Sequence, residues 1–160
     1  GEVLTTSIFF AFSLGVIITL TGAFASKPIA LFFAADDTVG HYVGDYIFYR
    51  FLGLPFFLTA VSFRGFYFGV GKTKIFMISG VLVNFLNIIF NYAFIYGAFG
   101  APKMGVAGAG LGSSLATLCD AIFYTSVAML PYYRTRFKPF KKITINKEIL
   151  FRIVKLALPV

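Results

Sequence analysis

The segment from Arg64 to Gly112 constrains the fold of this chain more than any other. It opens with a basic, glycine-broken stretch, RGFYFGVGKTK, and continues into a long apolar run that carries three asparagines. A Gly/Pro-rich turn and a second long apolar run follow. Because a helix crosses a bilayer with roughly 20 apolar residues, this order predicts two antiparallel membrane crossings, with polar groups held inside one of them.

The composition predicts that the whole chain is an integral membrane protein. Hydrophobic residues make up 59% of the chain and charged residues 12%, whereas soluble domains carry roughly 25% charged residues. The 160 residues leave room for a small number of crossings, so the expected fold is an all-α, polytopic transmembrane helix bundle.

Apolar runs and their polar boundaries divide the chain into segments. We expect transmembrane helices over about 4–33, 43–63, 75–96 and 106–130, a basic linker over 134–147, and the start of a further helix over 148–160. Pro28 and Pro55 lie inside the first two predicted helices, where a missing N–H favours a bend.

The placement of the basic residues predicts the orientation of the chain. Eight of the 14 Lys and Arg residues lie between Arg134 and Lys155, and Arg64, Lys72 and Lys74 cluster in one predicted short loop. An excess of Lys and Arg marks cytoplasmic loops, so we expect 64–74 and 131–150 to face the cytoplasm. The net charge of +8 is therefore attributed to topology and not to nucleic-acid binding.

Residue types that carry covalent chemistry are sparse. Cys119 and His41 are single residues of their kinds, so neither a disulfide framework nor a zinc spacing is available. The GKT of the basic stretch does not complete a phosphate-binding loop, because Phe66 stands where that motif needs glycine. We expect no enzyme, no catalytic residue, no complete metal site and no cofactor.

Asn84, Asn87 and Asn91 form the first candidate site. Their i, i+3, i+7 spacing places them on one side of a helix. An amide without a partner in hydrocarbon costs several kcal/mol, so this side should face other helices or a water-filled cavity. Two interpretations remain open: interhelical hydrogen bonds that hold the bundle together, and a functional face.

Ser113, Thr117 and Asp120 form a second candidate face, on the last predicted crossing. Asp120 is the one acidic residue deep inside a predicted membrane segment. Such residues are costly and often functional, so it is a candidate proton or cation site, or a counter-ion for a substrate. The alternative is a structural hydrogen bond or a salt bridge to an arginine; Arg50 is one candidate, although it could also extend outwards to the headgroups or pair with Asp45.

Small residues predict close helix packing in two places. Gly65 and Gly69 form one small-xxx-small pair, and a second stripe consists of Gly105, Gly108, Gly112 and Ala116. Small residues at such spacing let helix backbones approach each other closely.

The order of motifs resembles that of a transporter family. The patterns RGxxxGxGxTK, NxxxNY and GxxGxPKxGVAGAG, with YIFYRFLGLPF before them and KLALPV at the end, are similar to the MATE (multidrug and toxic compound extrusion) family, in particular its NorM-like bacterial members. The likeness covers nearly the whole chain. It implies helices three to six of the first six-helix lobe, the linker and the start of helix seven of a longer two-lobe protein.

The resemblance also implies site residues. In several members, a carboxylate on helix one is supported by polar groups on helices five and six, and these supports match Asn87, Asn91 and Ser113. Some members carry an aspartate where this chain has Asn91, which removes a proton acceptor there. The helix-one carboxylate and the acidic residues of the second lobe are expected outside this chain.

By this resemblance, the expected function is secondary active antiport. An organic cation or drug would leave in exchange for sodium ions or protons by alternating access, and no cofactor would be needed beyond the coupling ion. The expected partners are a small-molecule substrate, the bilayer and the remaining helices of the same chain, without nucleic acid, and the expected protein is a monomer. The likeness to bacterial members implies a bacterial cytoplasmic (inner) membrane. The alternatives are a flippase for lipid-linked oligosaccharides and a non-transporting membrane scaffold.

Overall fold

The computed structural model describes residues 2–34 and 36–137, and this part of the chain contains helices and no strands. The helices are α1 (Glu2–Phe33), α2 (Asp37–Leu52), α3 (Leu54–Gly69), α4 (Thr73–Tyr96), α5 (Val106–Met129) and α6 (Pro131–Phe137), with a 3-10 turn at Ala98–Gly100. The predicted segment 148–160 and most of the predicted linker lie outside the described residues.

Three of the helices are long and apolar enough to cross a membrane by themselves: α1, α4 and α5. Helices α2 and α3 are bent by 48° relative to each other and count as a fourth span if they are taken together. The prediction of an all-α transmembrane bundle is confirmed. The second crossing, however, extends beyond 43–63, from Asp37 to Gly69, and it is broken at Gly53.

The break between α2 and α3 has a local cause. Pro55 has no N–H, so the carbonyl of Phe51 loses its usual helical donor. The hydroxyl of Thr19, on α1, donates to that carbonyl at 2.7 Å. A side chain from a neighbouring helix thus satisfies the backbone group that the proline leaves free, as a membrane interior requires.

A second backbone carbonyl at the break also accepts a hydrogen bond from a side chain, here one on α5. The N–H of Gly53 bonds to the carbonyl of Arg50 at 3.3 Å, which leaves the carbonyl of Tyr49 without a helical donor. The hydroxyl of Ser114, on α5, donates to Tyr49 at 2.7 Å. The break is therefore held between α1 and α5, with one side-chain donor on each carbonyl.

The helices pack in a row with the broken span in its middle. Helix α1 packs on α2 and α3, these two pack on α5, and α5 packs on α4 along its length. Helices α1 and α4 do not contact each other. Helix α5 is accordingly the most buried span of the described part, and α4 is buried on one side only.

Glycines permit the closest approaches in this row. A Cβ at Gly112 would lie 2.5 Å from the Asn91 side-chain oxygen, and one at Gly108 would collide with the backbone of Phe94. The predicted packing role of these two glycines is confirmed. Gly65 and Gly69 do not pack on another helix among the described residues, because no atom there lies within 4 Å of a Cβ built at either position, and both are exposed on α3; close packing at this pair stays a prediction.

The turn between α3 and α4 is shorter than predicted. Helix α3 continues to Gly69 and α4 begins at Thr73, so the turn consists of residues 70–72, with Gly71 at φ 72°. Arg64 therefore lies inside a helix and not in a loop. We call the end of the bundle that carries this turn, together with the end of α5, the basic end.

Aromatic side chains fill the core at the basic end. The rings of Phe63 and Tyr67 on α3 stack with Tyr124 on α5, at centroid distances of 5.8 Å from Tyr124 in each case. Tyr133 of α6 packs edge-on against Tyr67 at 5.8 Å. Helix α6, which includes the first residues of the predicted linker, thus contacts the bundle through Tyr133.

Candidate functional site

Polar side chains lie in two groups along the interface between α4 and α5. Asn87, Asn91 and Ser113 form the first, which we call the amide cluster. Arg64, Ser79 and Asp120 form the second, which we call the carboxylate cluster. Ser113 and Asp120 are seven residues apart on α5, so about 10 Å of helix separates the two clusters.

The amide cluster joins α4 to α5 through a chain of hydrogen bonds. The Asn91 amide nitrogen donates to the side-chain oxygen of Asn87 at 2.9 Å. The Asn87 nitrogen in turn donates to the hydroxyl oxygen of Ser113 at 3.1 Å. The structure thus brings together the three residues that the family resemblance indicated.

One polar atom of the amide cluster has no partner. The side-chain oxygen of Asn91 is buried and accepts no hydrogen bond among the described residues. It lies against Gly112, where a Cβ would collide with it. The absence of a side chain at Gly112 therefore gives this acceptor its place between the helices.

Asn84 does not join the amide cluster, which corrects the prediction of a single face. Its nitrogen donates to the carbonyl of Gly80 in its own helix, at 2.8 Å, and the residue is exposed. Helices that cross at an angle touch along a line that drifts around each surface. On α4, the line of contact passes through Asn91 and Asn87 and then reaches Ser79. At 100° per residue, Asn84 lies about 140° around the helix from Ser79. Asn84 is therefore on the side of α4 that faces away from α5.

The carboxylate cluster ties three helices together. One oxygen of Asp120 accepts a hydrogen bond from Ser79 on α4 at 2.5 Å, and the other pairs with the Arg64 guanidinium on α3 at 2.6 Å. The side chain of Asp120 is 0% exposed and that of Arg64 is 27% exposed. A buried carboxylate needs a charged partner and further hydrogen bonds, and both are present here.

The counter-ion of Asp120 is therefore Arg64 and not Arg50. From the sequence, Arg50 was one candidate partner, with extension outwards to the headgroups as an alternative, and Arg64 was placed in a loop. Asp45, the other proposed partner of Arg50, lies near Lys27, with 3.8 Å between nitrogen and oxygen. The salt-bridge interpretation of Asp120 matches the structure; its proposed role in ion binding stays a prediction.

Thr117 lies between the two clusters on α5 and is buried. Its hydroxyl donates to the backbone carbonyl of Ser113 at 2.6 Å. The hydroxyl of Thr117 thus donates within its own helix, and this hydrogen bond does not connect the side chains of the two clusters.

Sequence reasoning missed Ser79 as a member of the site. A serine in a membrane helix commonly bonds to its own backbone, and Ser79 does not share the side of α4 that carries the asparagines. The available signal was Asp120 itself, since a buried carboxylate requires donors from the helices around it.

The two clusters can do different things chemically. The amide cluster offers neutral oxygen atoms, one of them unpartnered, and hard cations prefer oxygen ligands. The carboxylate cluster offers a negative charge that is already compensated. No group of three or more His, Cys, Asp or Glu side chains that could hold a metal ion occurs in residues 2–34 and 36–137.

Fold and site together define an integral membrane helix bundle with a polar interface inside it. The sequence model of the MatE family matches residues 1–93. The chain belongs to the MatE family, and the resemblance seen in its motifs is confirmed.

Curated relatives match over most of the chain. A probable multidrug resistance protein NorM of Mannheimia succiniciproducens is 32% identical over 149 residues, which cover 86% of this chain and 32% of the relative. A protein of the same name from Streptococcus pneumoniae is 32% identical over 156 residues, covering 96% of this chain and 34% of that protein. The probable multidrug resistance protein YoeA of Bacillus subtilis is 26% identical over an alignment of 164 positions, which covers 98% of this chain and 34% of that protein. The chain thus spans about one third of the length of these relatives.

Proposed function

We propose that this chain is part of a secondary active antiporter that exports organic cations or drugs in exchange for sodium ions or protons by alternating access. The single observation that carries the proposal is the amide cluster: a hydrogen-bonded group of polar side chains with a free acceptor, inside the membrane-spanning part of a MatE-family chain. The names of the relatives, probable multidrug resistance proteins, support the substrate class. The protein would be a transporter and not an enzyme.

The amide cluster is suited to recognise a small cation that has lost part of its hydration shell. The unpartnered oxygen of Asn91 and the free lone pair of Ser113 are acceptors in a water-poor interface. A neutral site of this kind needs a negative charge nearby to bind a cation tightly. A carboxylate outside this chain would supply it, or Asp120 once its pair with Arg64 is open.

Binding at this site would act by shifting the packing of helices. A ligand biases a two-state equilibrium only by its difference in affinity for the two states. Because the cluster lies between α4 and α5, a cation held there would favour the packing in which its oxygen ligands converge. Transport would then follow from repeated exchange between two packings of the lobe.

The orientation follows from the charges. We place the basic end, with Lys72, Lys74 and Arg134, at the cytoplasmic surface, since basic residues concentrate in cytoplasmic loops. Asp36, Asp37 and Asp45 at the opposite end would then face outwards.

Ethidium efflux tests the proposal. Cells that express the native protein are loaded with ethidium, and its efflux is followed under an imposed sodium gradient and then under an imposed proton gradient. Efflux that responds to either gradient supports antiport and identifies the ion. A protein that is well expressed in the membrane and gives no efflux under either gradient contradicts the proposal and favours a flippase or a scaffold.

Asp120→Asn separates a functional from a structural role of that carboxylate. The substitution keeps the shape of the side chain and removes its charge. If the charge contributes to ion binding, gradient-driven efflux falls at equal expression; unchanged efflux would restrict Asp120 to holding the bundle together.

A further inference from the structure

We propose that the Arg64–Asp120 ion pair is a latch that holds the end of α3 against α5, and that opens when α3 turns about the break at Gly53. The inference rests on the proposed function, because it names the regulation of the same polar interface. It adds a moving element and the contact that restrains it.

The latch joins two halves of the bundle that otherwise share few polar contacts at the basic end. Helix α1 packs only on α2 and α3, and α4 packs mainly on α5. Among the described residues, Arg64–Asp120 is the ion pair that connects these halves. The other contacts there include the apolar stack of Phe63 and Tyr67 with Tyr124, which has no directional bond to hold it. Helix α3 also stays joined to α4 by the turn at 70–72 and by the ring contact of Phe68 with Phe76, so the movement proposed here is that of α3 relative to α5.

The closed packing leaves polar groups unsatisfied around the latch. The Nε of Arg64 and the hydroxyl of Tyr124 are both buried, and neither has a hydrogen-bond partner among the described residues. An unmade hydrogen bond at a buried donor destabilises the state that buries it. A second packing in which these donors reach water or another acceptor would regain that loss.

The break at Gly53 has the properties of a pivot. Helix α3 begins immediately after it, and the 48° bend separates α3 from α2. Thr19 and Ser114 bond to the carbonyls on the α2 side of the break, at Phe51 and Tyr49. The α2 side is thus anchored to both neighbours, and rotation would be taken up by α3, whose far end carries Arg64.

Cysteine labelling tests the latch without any substrate or gradient. In a background of the native protein in which Cys119 and every cysteine outside this chain are replaced by serine, in membrane vesicles, Ala128→Cys is the reporter, because Ala128 is 2% exposed in the core at the basic end. Its rate of reaction with N-ethylmaleimide measures how often that core opens. Ala93→Cys, 7% exposed in the outer half of α4, is the buried control, and Gly69→Cys, exposed with open space around it, is the accessible control.

Arg64→Gln should raise the labelling rate of the Ala128→Cys reporter by about tenfold or more, because it leaves a buried charge uncompensated in the closed packing. The two control positions should keep their rates. Arg64→Lys, which retains the charge without the planar fork, should fall between. Asp120→Asn opens the same pair from the other side and should raise the reporter rate as well.

Two results would overturn the latch. One is an unchanged reporter rate in both Arg64→Gln and Asp120→Asn. The other is an equal rise at the reporter and at Ala93→Cys, which would mean that the pair stabilises the whole bundle and not one end of it. Because labelling needs no transported compound, a failure of ethidium efflux leaves this test readable and separates the two proposals.

Discussion

The amide cluster and the carboxylate cluster lie about 10 Å apart on the same helix interface and differ in almost every other respect. The first is neutral, joins two helices and contains a buried oxygen without a partner. The second is charged, joins three helices, and both oxygens of its carboxylate are occupied. The neutral cluster keeps one acceptor without a partner, whereas both oxygens of the charged cluster's carboxylate are paired within the bundle.

This difference teaches that a charged residue inside a membrane bundle is a poor guide to the binding site by itself. Asp120 is the residue that hydropathy singles out, yet its charge is spent on Arg64. The asparagines carry no charge and still retain free hydrogen-bonding capacity. Four substitutions test the contrast, beginning with the largest expected effect.

Arg64→Ala should cause the greatest loss of stability. It leaves Asp120 buried without its counter-ion, and breaking a buried pair in this way costs about 3–5 kcal/mol. Thermal unfolding of the detergent-solubilised protein would report the loss as a lower Tm. Arg50→Ala is the matched control, since Arg50 forms no ion pair in the described part of the chain, and its Tm should change little. Equal shifts in Tm for the two variants would show that the Arg64–Asp120 pair stabilises the bundle no more than an unpaired arginine does.

Gly112→Ala should cost about 1–3 kcal/mol, because the added methyl group overpacks the interface at Asn91. A Cβ there would lie 2.5 Å from the Asn91 oxygen and 2.8 Å from its backbone nitrogen. Gly80→Ala, where no atom lies within 4 Å of the new Cβ, should stabilise α4 slightly. A Gly112→Ala protein as stable as the parent would show that the amide cluster is loosely packed.

Asn87→Leu should lower stability by about 1–2 kcal/mol, since it removes two hydrogen bonds from the amide cluster. It should also reduce gradient-driven ethidium efflux more than its stability loss explains. Asn84→Leu, on the exposed side of the same helix, is the control and should affect neither quantity strongly. Similar efflux from both variants would argue against a ligand at the amide cluster.

Ser114→Ala should have the smallest effect, about 0.6 kcal/mol, the average for a hydrogen bond between membrane helices. It leaves the Tyr49 carbonyl without a donor, next to the break in the second span. Tm again provides the measurement. A loss as large as that of Asn87→Leu would mean that hydroxyl contacts and amide contacts are equivalent here.

Much of the fold was predictable because membrane crossings are long and uniform. The bounds expected for three crossings, 4–33, 75–96 and 106–130, lie within two residues of the ends of α1, α4 and α5. The thickness of the hydrocarbon layer determines the length of such helices, so the long apolar runs in the sequence are enough to locate them. The bend in the second crossing was also expected, from Pro55.

The failures have a common physical source, which is the pairing between helices. Arg64 and its neighbouring glycines were interpreted as a loop because glycines favour a turn and basic residues concentrate in cytoplasmic loops. Nothing in the sequence indicated that Arg64 would pair with Asp120. Asn84 was grouped with Asn87 and Asn91 because rotation along one helix says nothing about where a second helix crosses it. Asn87, Asn91 and Ser113 were brought together correctly through the family motifs and not through spacing.

The Arg64–Asp120 pair also has a consequence for biogenesis. During synthesis Arg64 emerges 56 residues before Asp120, so α3 enters the bilayer with its charge unpaired. Arg64 lies five residues before the end of α3, so its side chain can extend to the lipid headgroups until its partner is inserted. Asp120 lies about 14 Å from the end of α5, and its short side chain cannot reach the headgroups. We therefore expect α3 to remain beside the insertion machinery until α5 arrives, so that the two spans leave it together.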